Sequence, residues 1–188
     1  MNIGFALCGS FCTYDKVFPA MKAVAKEHTV LPIFSDVSYS TDSRFGTCQE
    51  HIQNAENICG SSALHTIAQV EPIGPKKLLD ALIIAPCTGN TLAKLAHSIA
   101  DGPVTMAAKS HLRNGRPIII AVSTNDALAG AAENIGKLLA RKHYYFVPFG
   151  QDNPSSKPTS IVADFSLIPA TLSSALDGCQ IQPILLKN

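Results

Sequence analysis

Short uncharged apolar runs alternate along this chain with stretches in which apolar residues recur every three or four positions. The runs are Asn2–Leu7, His28–Phe34, Ala81–Ala85, Pro117–Val122 and Tyr144–Pro148. A strand covered on both faces reads as a continuous aliphatic segment, so each run predicts a buried parallel strand. Helical spacing predicts helices over about Thr13–Lys26, Gln49–Gly60 with a continuation over Ser61–Ile67, Thr91–Ala100, Val104–Leu112 and Ala127–Lys142. A final helix at Phe165–Leu176 and a terminal strand near Ile181–Leu186 complete the pattern. Pro72, Gly74 and Pro75, then Gly102-Pro103 and Asn114-Gly115, punctuate it. Val37–Thr47 and Gln151–Pro158 carry no apolar period and read as polar loops. Alternating strands and helices predict an α/β fold: one domain over residues 1–188, a doubly wound, Rossmann-like parallel sheet.

Composition narrows the class. The chain has 188 residues, 46% of them hydrophobic, with no Trp and only 6% aromatics, so its core is aliphatic. The net charge of +1 and the short clusters Lys76-Lys77 and Arg141-Lys142-His143 form no basic stripe, and nucleic acid is not an expected partner. No apolar stretch approaches the ~20 residues that cross a bilayer. The amino terminus runs directly into a strand without a leader pattern. Six cysteines without a Cys-x-x-Cys pair suit buried thiols in a reducing, cytoplasmic setting, and no metal site is expected.

The chemistry lies in the turns that follow the strands. All strand-to-helix turns of a parallel sheet share one edge, where such folds hold ligands. Here they are Gly9-Ser10-Phe11, Ser35-Asp36, Pro86–Thr91 and Ser123-Thr124-Asn125, rich in hydroxyls, amides and glycine. Each alone suits an ordinary helix cap. Together they suit a phosphate, which needs free backbone N–H groups and small hydroxyl donors: Gly9 and Ser10 provide these, and Ser35 adds another. The first turn lacks the Gly-x-Gly-x-x-Gly of dinucleotide sites, and Ser10-Phe11 stands where a P-loop carries Lys and Ser or Thr. Flavin mononucleotide suits what remains.

Cys8-Gly9-Ser10, Ala85–Lys94 and Ala121–Asn125 resemble the flavin-binding flavoprotein family, which includes phosphopantothenoylcysteine decarboxylase, the lantibiotic peptidyl-cysteine decarboxylases and the prenyl-flavin synthases. The family's Pro-Ala-Ser/Thr-Ala-Asn-Thr turn is matched by Pro86–Thr91, with Cys87 and Gly89 in place of alanines. Pro72–Pro75, Met106–Lys109, Leu112–Gly115, Ser123–Leu128, Tyr145–Asp152 and Lys157-Pro158 with Ser160 are similar to the B subunits of dipicolinate synthases from spore-forming bacteria. That resemblance implies a homo-oligomer carrying FMN and working with the synthase's separate, nicotinamide-dependent A subunit. Together they would oxidise a dihydrodipicolinate-level intermediate to dipicolinate during sporulation.

By position, the resemblance implies that Gly9, Ser10 and Phe11 line the flavin and that Ser35 reaches its phosphate. Pro86, Thr88, Asn90 and Thr91 would surround the ring and ribityl chain, with Ser123 and Asn125 on the opposite edge. His65, loosely placed like the family's catalytic histidine, and Cys87 are the candidate catalytic residues. A dicarboxylate substrate calls for cations, and Lys109, Arg113 and Lys157 are the candidates. The loop at 150–160 could fold over the site as a lid. The decarboxylases' Pro-x-Met-Asn motif is replaced by Ser123-Thr124-Asn125. Two other readings remain open: an FMN-dependent decarboxylase of a cysteine-derived substrate, and a non-catalytic partner of the synthase with an empty flavin pocket.

Overall fold

Charge-free runs become the centre of the sheet because every side chain on them is covered. The computed structural model describes residues 1–187. β1 (Asn2–Leu7) lies between β2 (Thr29–Phe34) and β3 (Ala81–Cys87), and β4 (Ile118–Thr124) follows β3, all parallel. β5 (Tyr144–Phe146) extends the parallel set beside Ile118–Ile120. All seven residues of β3 are buried. Each Leu or Ile so buried stabilises the fold by about 1.5–3 kcal/mol, and a charge there would cost more than it could recover.

Helices cover the sheet in two sets. α1 (Tyr14–Ala25) packs on α3 (Cys48–Cys59) and α8 (Ile168–Leu176). α6 (Pro103–Leu112) packs on α4 (Ile67–Val70) and α5 (Gly89–Ala96), and α5 on α7 (Ala132–Leu139). This is the expected single-domain α/β layering. No helix among the described residues is long and apolar enough to cross a membrane.

Five local expectations are corrected. Val37–Thr47 is not wholly loop: α2 (Asp36–Ser40) opens on Ser35, whose hydroxyl accepts from the Ser38 N–H. The helix expected to continue through Ser61–Ile67 stops at Gly60, which adopts φ +66 and satisfies the left-handed cap that ends α3. Beyond it Leu64 bonds to both Pro32 and Phe34, running as a one-residue bridge beside β2. The helix expected from Ala127 begins at Ala132, because the Leu128 N–H is drawn to Thr159 O at 3.0 Å, outside any helical partner. It ends at Leu139, and Arg141 turns away to donate to Leu95 O and Ala96 O at the end of α5. The terminal strand is reduced to one bridge, Leu185 with Phe149; Pro183 has no N–H to extend a ladder.

The fifth correction matters most. Gln151–Pro158 is not a loop but the heart of a hairpin, β6 (Phe149–Asn153) and β7 (Lys157–Ala163). Asn153 Oδ1 accepts from the N–H groups of Ser155 and Ser156, so its side chain builds the turn. β7 pairs antiparallel with β4 through Ser123–Val162 and Thr124–Ile161. The hairpin is thus stitched to the strand end that carries the fourth polar turn, Ser123-Thr124-Asn125.

Candidate functional site

In the order β2-β1-β3-β4-β5, the chain builds outward in both directions from the β1/β3 pair. That reversal opens a crevice at the carboxyl ends of β1 and β3. Two cavities occupy it. The inner one, about 260 Å³, is lined by Cys8, Gly9, Ser35, Asp36, Thr88, Asn90, Thr91, Lys94 and the start of α6 at Gly102-Pro103. The outer one, about 640 Å³, is lined by Gly9, Ser10, Phe11, Cys12, Thr88, Ser123, Asn125 and the hairpin residues Asp152, Lys157 and Ser160. Gly9 and Thr88 belong to both, so the two form one elongated cleft.

Local chemistry holds the walls. Ser10 Oγ and Ser123 Oγ lie 2.8 Å apart, joining the turn after β1 to the end of β4. Pro86 interrupts the β3–β4 ladder, which shifts register between Ile84 and Cys87. Thr88 then caps α5, its hydroxyl accepting from the Thr91 N–H at 3.4 Å. Thr91 Oγ1 lies 3.1 Å from Thr88 Oγ1 and donates to Cys8 Sγ at 3.4 Å. A Cβ on Gly89 would stand 2.8 Å from Asp126 Oδ1 and 2.9 Å from Thr124 Oγ1. Glycine at this position therefore lets the turn after β4 close against the start of α5.

Ser35 is fixed just as firmly. Its Oγ lies 2.9 Å from Ser38 Oγ, which in turn donates to Leu7 O at 2.8 Å. Lys94 is the cation at the inner end, paired with Asp101 at 2.9 Å, and Asp36 is the acid there. The cleft thus runs from a compact end of hydroxyls with Asn90, Asp36 and Lys94 to a wider end with the Phe11 and Phe45 rings, Asn125 and the cations Lys16, Arg44 and Lys157. Such a donor set fits a mononucleotide: a phosphate inward, a flat heterocycle outward. Ser35, Gly9 and Lys94 would hold the phosphate, and Thr88, Asn90, Ser10 and Ser123 the remainder.

Of the residues expected from sequence, Gly9, Ser10, Phe11, Ser35, Thr88, Asn90, Thr91, Ser123 and Asn125 all line this cleft. Pro86 lines neither cavity and acts on the turn from within the sheet. Cys87 is fully buried beneath the turn, and burial, with the Cys8 thiol nearby, pushes its pKa well up. It is a packed neutral thiol, not an exposed nucleophile. Cys8, also pushed up by burial, to about 11, forms the floor.

His65 is stacked on Tyr39, ring centroids 3.7 Å apart and planes within 4°, and lines neither cavity. The three candidate cations are not brought together. Lys157 faces the outer cavity, paired with Asp152 at 2.6 Å. Lys109 and Arg113 instead line a separate cavity of about 500 Å³ between α5 and α6, with Arg141 and Lys142.

Sequence reasoning missed Lys16, Arg44 and Phe45, which also line the outer cavity. Only the Thr47-x-x-Glu50 spacing hinted at their setting. It is a capping box that starts α3 immediately after Arg44-Phe45-Gly46.

Comparison with known proteins adds four findings. A family model described as Flavoprotein matches residues 2–160. The dipicolinate synthase B subunit of Bacillus subtilis (strain 168) is 45% identical over 188 residues, covering 100% of this chain and 94% of that protein. The crystal structure of the dipicolinate synthase B subunit from Bacillus halodurans C superimposes with a TM-score of 0.91 at 42% identity, covering 100% of this chain and 96% of that one. The FMN-dependent cysteine decarboxylase SpaF shares the fold, with a TM-score of 0.68 at 19% identity and coverage of 94% and 95%.

Proposed function

The chain belongs to the flavoprotein family, and on that premise we propose that it is the B subunit of a dipicolinate synthase, binding FMN in the cleft at the β1/β3 crevice. The observation that carries this reading is the cleft itself. Its hydroxyl-lined walls, closed by the Ser10–Ser123 contact, lie in a chain similar over its full length to the B subunit of a dipicolinate synthase. A small dicarboxylate would enter from the outer cavity, and a separate nicotinamide-dependent A subunit would share the reaction. The protein would act as a homo-oligomer in the cytoplasm. Val37, Ile67, Leu78 and Leu128, each at least 39% exposed, are available for such contacts.

The bound flavin would supply two-electron redox chemistry. This chain's own residues do the rest. Ser35 and the backbone around Gly9 orient the phosphate, so the ring is held by the turns rather than by mobile side chains. Thr88 and Thr91 present a fixed pair of hydroxyls beside the α5 N-terminus, where partial positive charge favours an electron-rich ring edge. The β6–β7 hairpin forms one wall of the outer cavity through Asp152, Lys157 and Ser160. The decarboxylase reading is weaker on two counts. His65 lies outside the cleft, and the likeness to SpaF concerns the fold alone.

The test is uptake of FMN. The purified protein mixed with micromolar FMN should show bound flavin after gel filtration, with bands near about 370 and 450 nm set by the cofactor's own chemistry. Ser10→Asp places a carboxylate against the Ser123 hydroxyl and the phosphate-binding turn, and should abolish uptake while the protein stays folded. A wild-type protein that takes up no FMN, yet stimulates the synthase's other component, would leave the non-catalytic partner reading in its place.

A further inference from the structure

The outer cavity has one wall made by the short segment between α2 and α3. Ser43 and Gly46 exchange backbone hydrogen bonds of 3.0 and 3.2 Å, so Arg44 and Phe45 form the tip of a two-residue turn. The turn is held from both sides. Asp42 Oδ1 accepts from the Cys48 N–H at 2.8 Å, and the Thr47–Glu50 capping box locks the start of α3. Gly46 has φ +127, and a Cβ there would stand 2.9 Å from the His51 ring. The tip is therefore built, not incidental. Arg44 lies over the Phe45 ring, 4.8 Å from its centroid, and both residues are exposed toward the cavity.

Across the opening stand Lys16, from the first turns of α1, and Lys157, from the start of β7. The acid among the lining residues is Asp152, and Lys157 already holds it at 2.6 Å. Among the described residues, neither Lys16 nor Arg44 has an ion-pair partner. Two cations from different elements thus face one cavity with nothing to balance them. The inner end has its own hydroxyl and lysine set for a phosphate, so these cations are not required there.

We propose that Arg44 and Lys16 are the specificity-determining residues for a planar dicarboxylate. One carboxylate would pair with the guanidinium at the tip and the other with the ammonium on α1. Phe45 would offer an apolar face to the ring between them. This assigns to the outer cavity the role that Lys109 and Arg113 were expected to fill. It deepens the reading given above and rests on it only for the ligand's identity. A guanidinium favours this task because its fork presents two N–H groups to a carboxylate.

Titration calorimetry with dipicolinate tests it, on the apoprotein and on FMN-loaded protein. Wild type should bind, and Arg44→Ala and Lys16→Ala should each weaken binding about tenfold, the scale of one charge-assisted hydrogen bond. Arg44→Lys should restore part of the loss. Lys109→Ala and Arg113→Ala should bind like wild type, and FMN uptake should be unchanged in all four alanine variants. Picolinate, with one carboxylate, should lose affinity in only one of Arg44→Ala and Lys16→Ala. Dipicolinate should also shield the exposed Cys12 thiol, on the same cavity wall, from alkylation in wild type but not in Arg44→Ala. Wild-type affinity in both Arg44→Ala and Lys16→Ala, or no binding by wild type at millimolar dipicolinate, overturns the proposal. Arg44-dependent binding by a protein that takes up no FMN supports it while removing the flavin reading. FMN uptake with Arg44-independent dipicolinate binding does the reverse.

Discussion

His111 makes the stability of this protein depend on pH in a window that can be stated in advance. The side chain, on the buried face of α6, is 0% exposed; its Nε2–H donates to Pro117 O at 3.1 Å, and its Nδ1 has no partner. Burial, helped by the nearby Arg116 charge and opposed by the Pro117 carbonyl and Asp80, holds its pKa down to about 4. Below the unfolded value of about 6.5, the unfolded chain takes up a proton that the folded chain refuses until about pH 4. Stability therefore falls as pH drops from about 6.5 to about 4, and this group adds no further loss below that. At 1.36 kcal/mol per pH unit, the loss comes to about 3 kcal/mol. His111→Gln keeps an N–H donor for Pro117 O but cannot titrate. Urea unfolding at several pH values between 7 and 4 should give a shallower decline for the variant, the gap between the curves widening by up to about 1.4 kcal/mol per pH unit. Parallel curves across the window, or a wild-type imidazole NMR signal that titrates near 6.5, would refute the reasoning.

Two further outcomes follow from the cleft, beside the FMN and dipicolinate titrations already described. Gly89→Ala should destabilise by about 1–3 kcal/mol, because its Cβ meets Asp126 and Thr124. The double variant with Asp126→Ser should recover part of that loss in thermal melts, and strictly additive losses would show that the contact is not the cause. Brief alkylation of the native protein, read by mass spectrometry, should label the exposed Cys12 and Cys179 and spare the buried Cys8 and Cys87 until urea is added. Labelling of Cys87 at the rate of Cys12 would place it outside the sheet.

What could be seen in the sequence is what a single segment decides. β1, β3 and β4 were legible because a charge-free run has no other stable use in a chain of this length. The polar turns after them were legible because strand direction puts every such turn on one edge. The hairpin was not. Gln151, Asp152 and Asn153 are polar because this end of β6 is partly open on both faces, and only pairing with β7, itself held on β4, makes them strand. The start of α7 departs from its pattern for a similar reason: Ala127 and Leu128 fit the helical period, but Thr159, distant in sequence, claims the Leu128 N–H. Lys16, Arg44 and Phe45 carried no mark beyond the neighbouring capping box, since their meeting depends on α1 and the turn before α3 arriving at one opening. Lys109 and Arg113 fit a dicarboxylate by charge type alone, and charge type does not say which cavity a helix faces.

One edge of β4 serves two neighbours: Ile118–Ile120 pair with the parallel β5, and Ser123-Thr124 with the antiparallel β7. A single strand therefore belongs to two segments that can exchange their amide hydrogens on different schedules. The hairpin can unzip from Ser123 and Thr124 while the ladder between β3 and the first half of β4 stays closed. Ser123, whose hydroxyl reaches Ser10, stands at the boundary between them. Displacing this wall of the cleft then needs the breaking of a few backbone hydrogen bonds at one strand end, at a free energy below that of global unfolding. The seam in β4 thus gives the outer wall of the site a local stability separate from that of the central sheet.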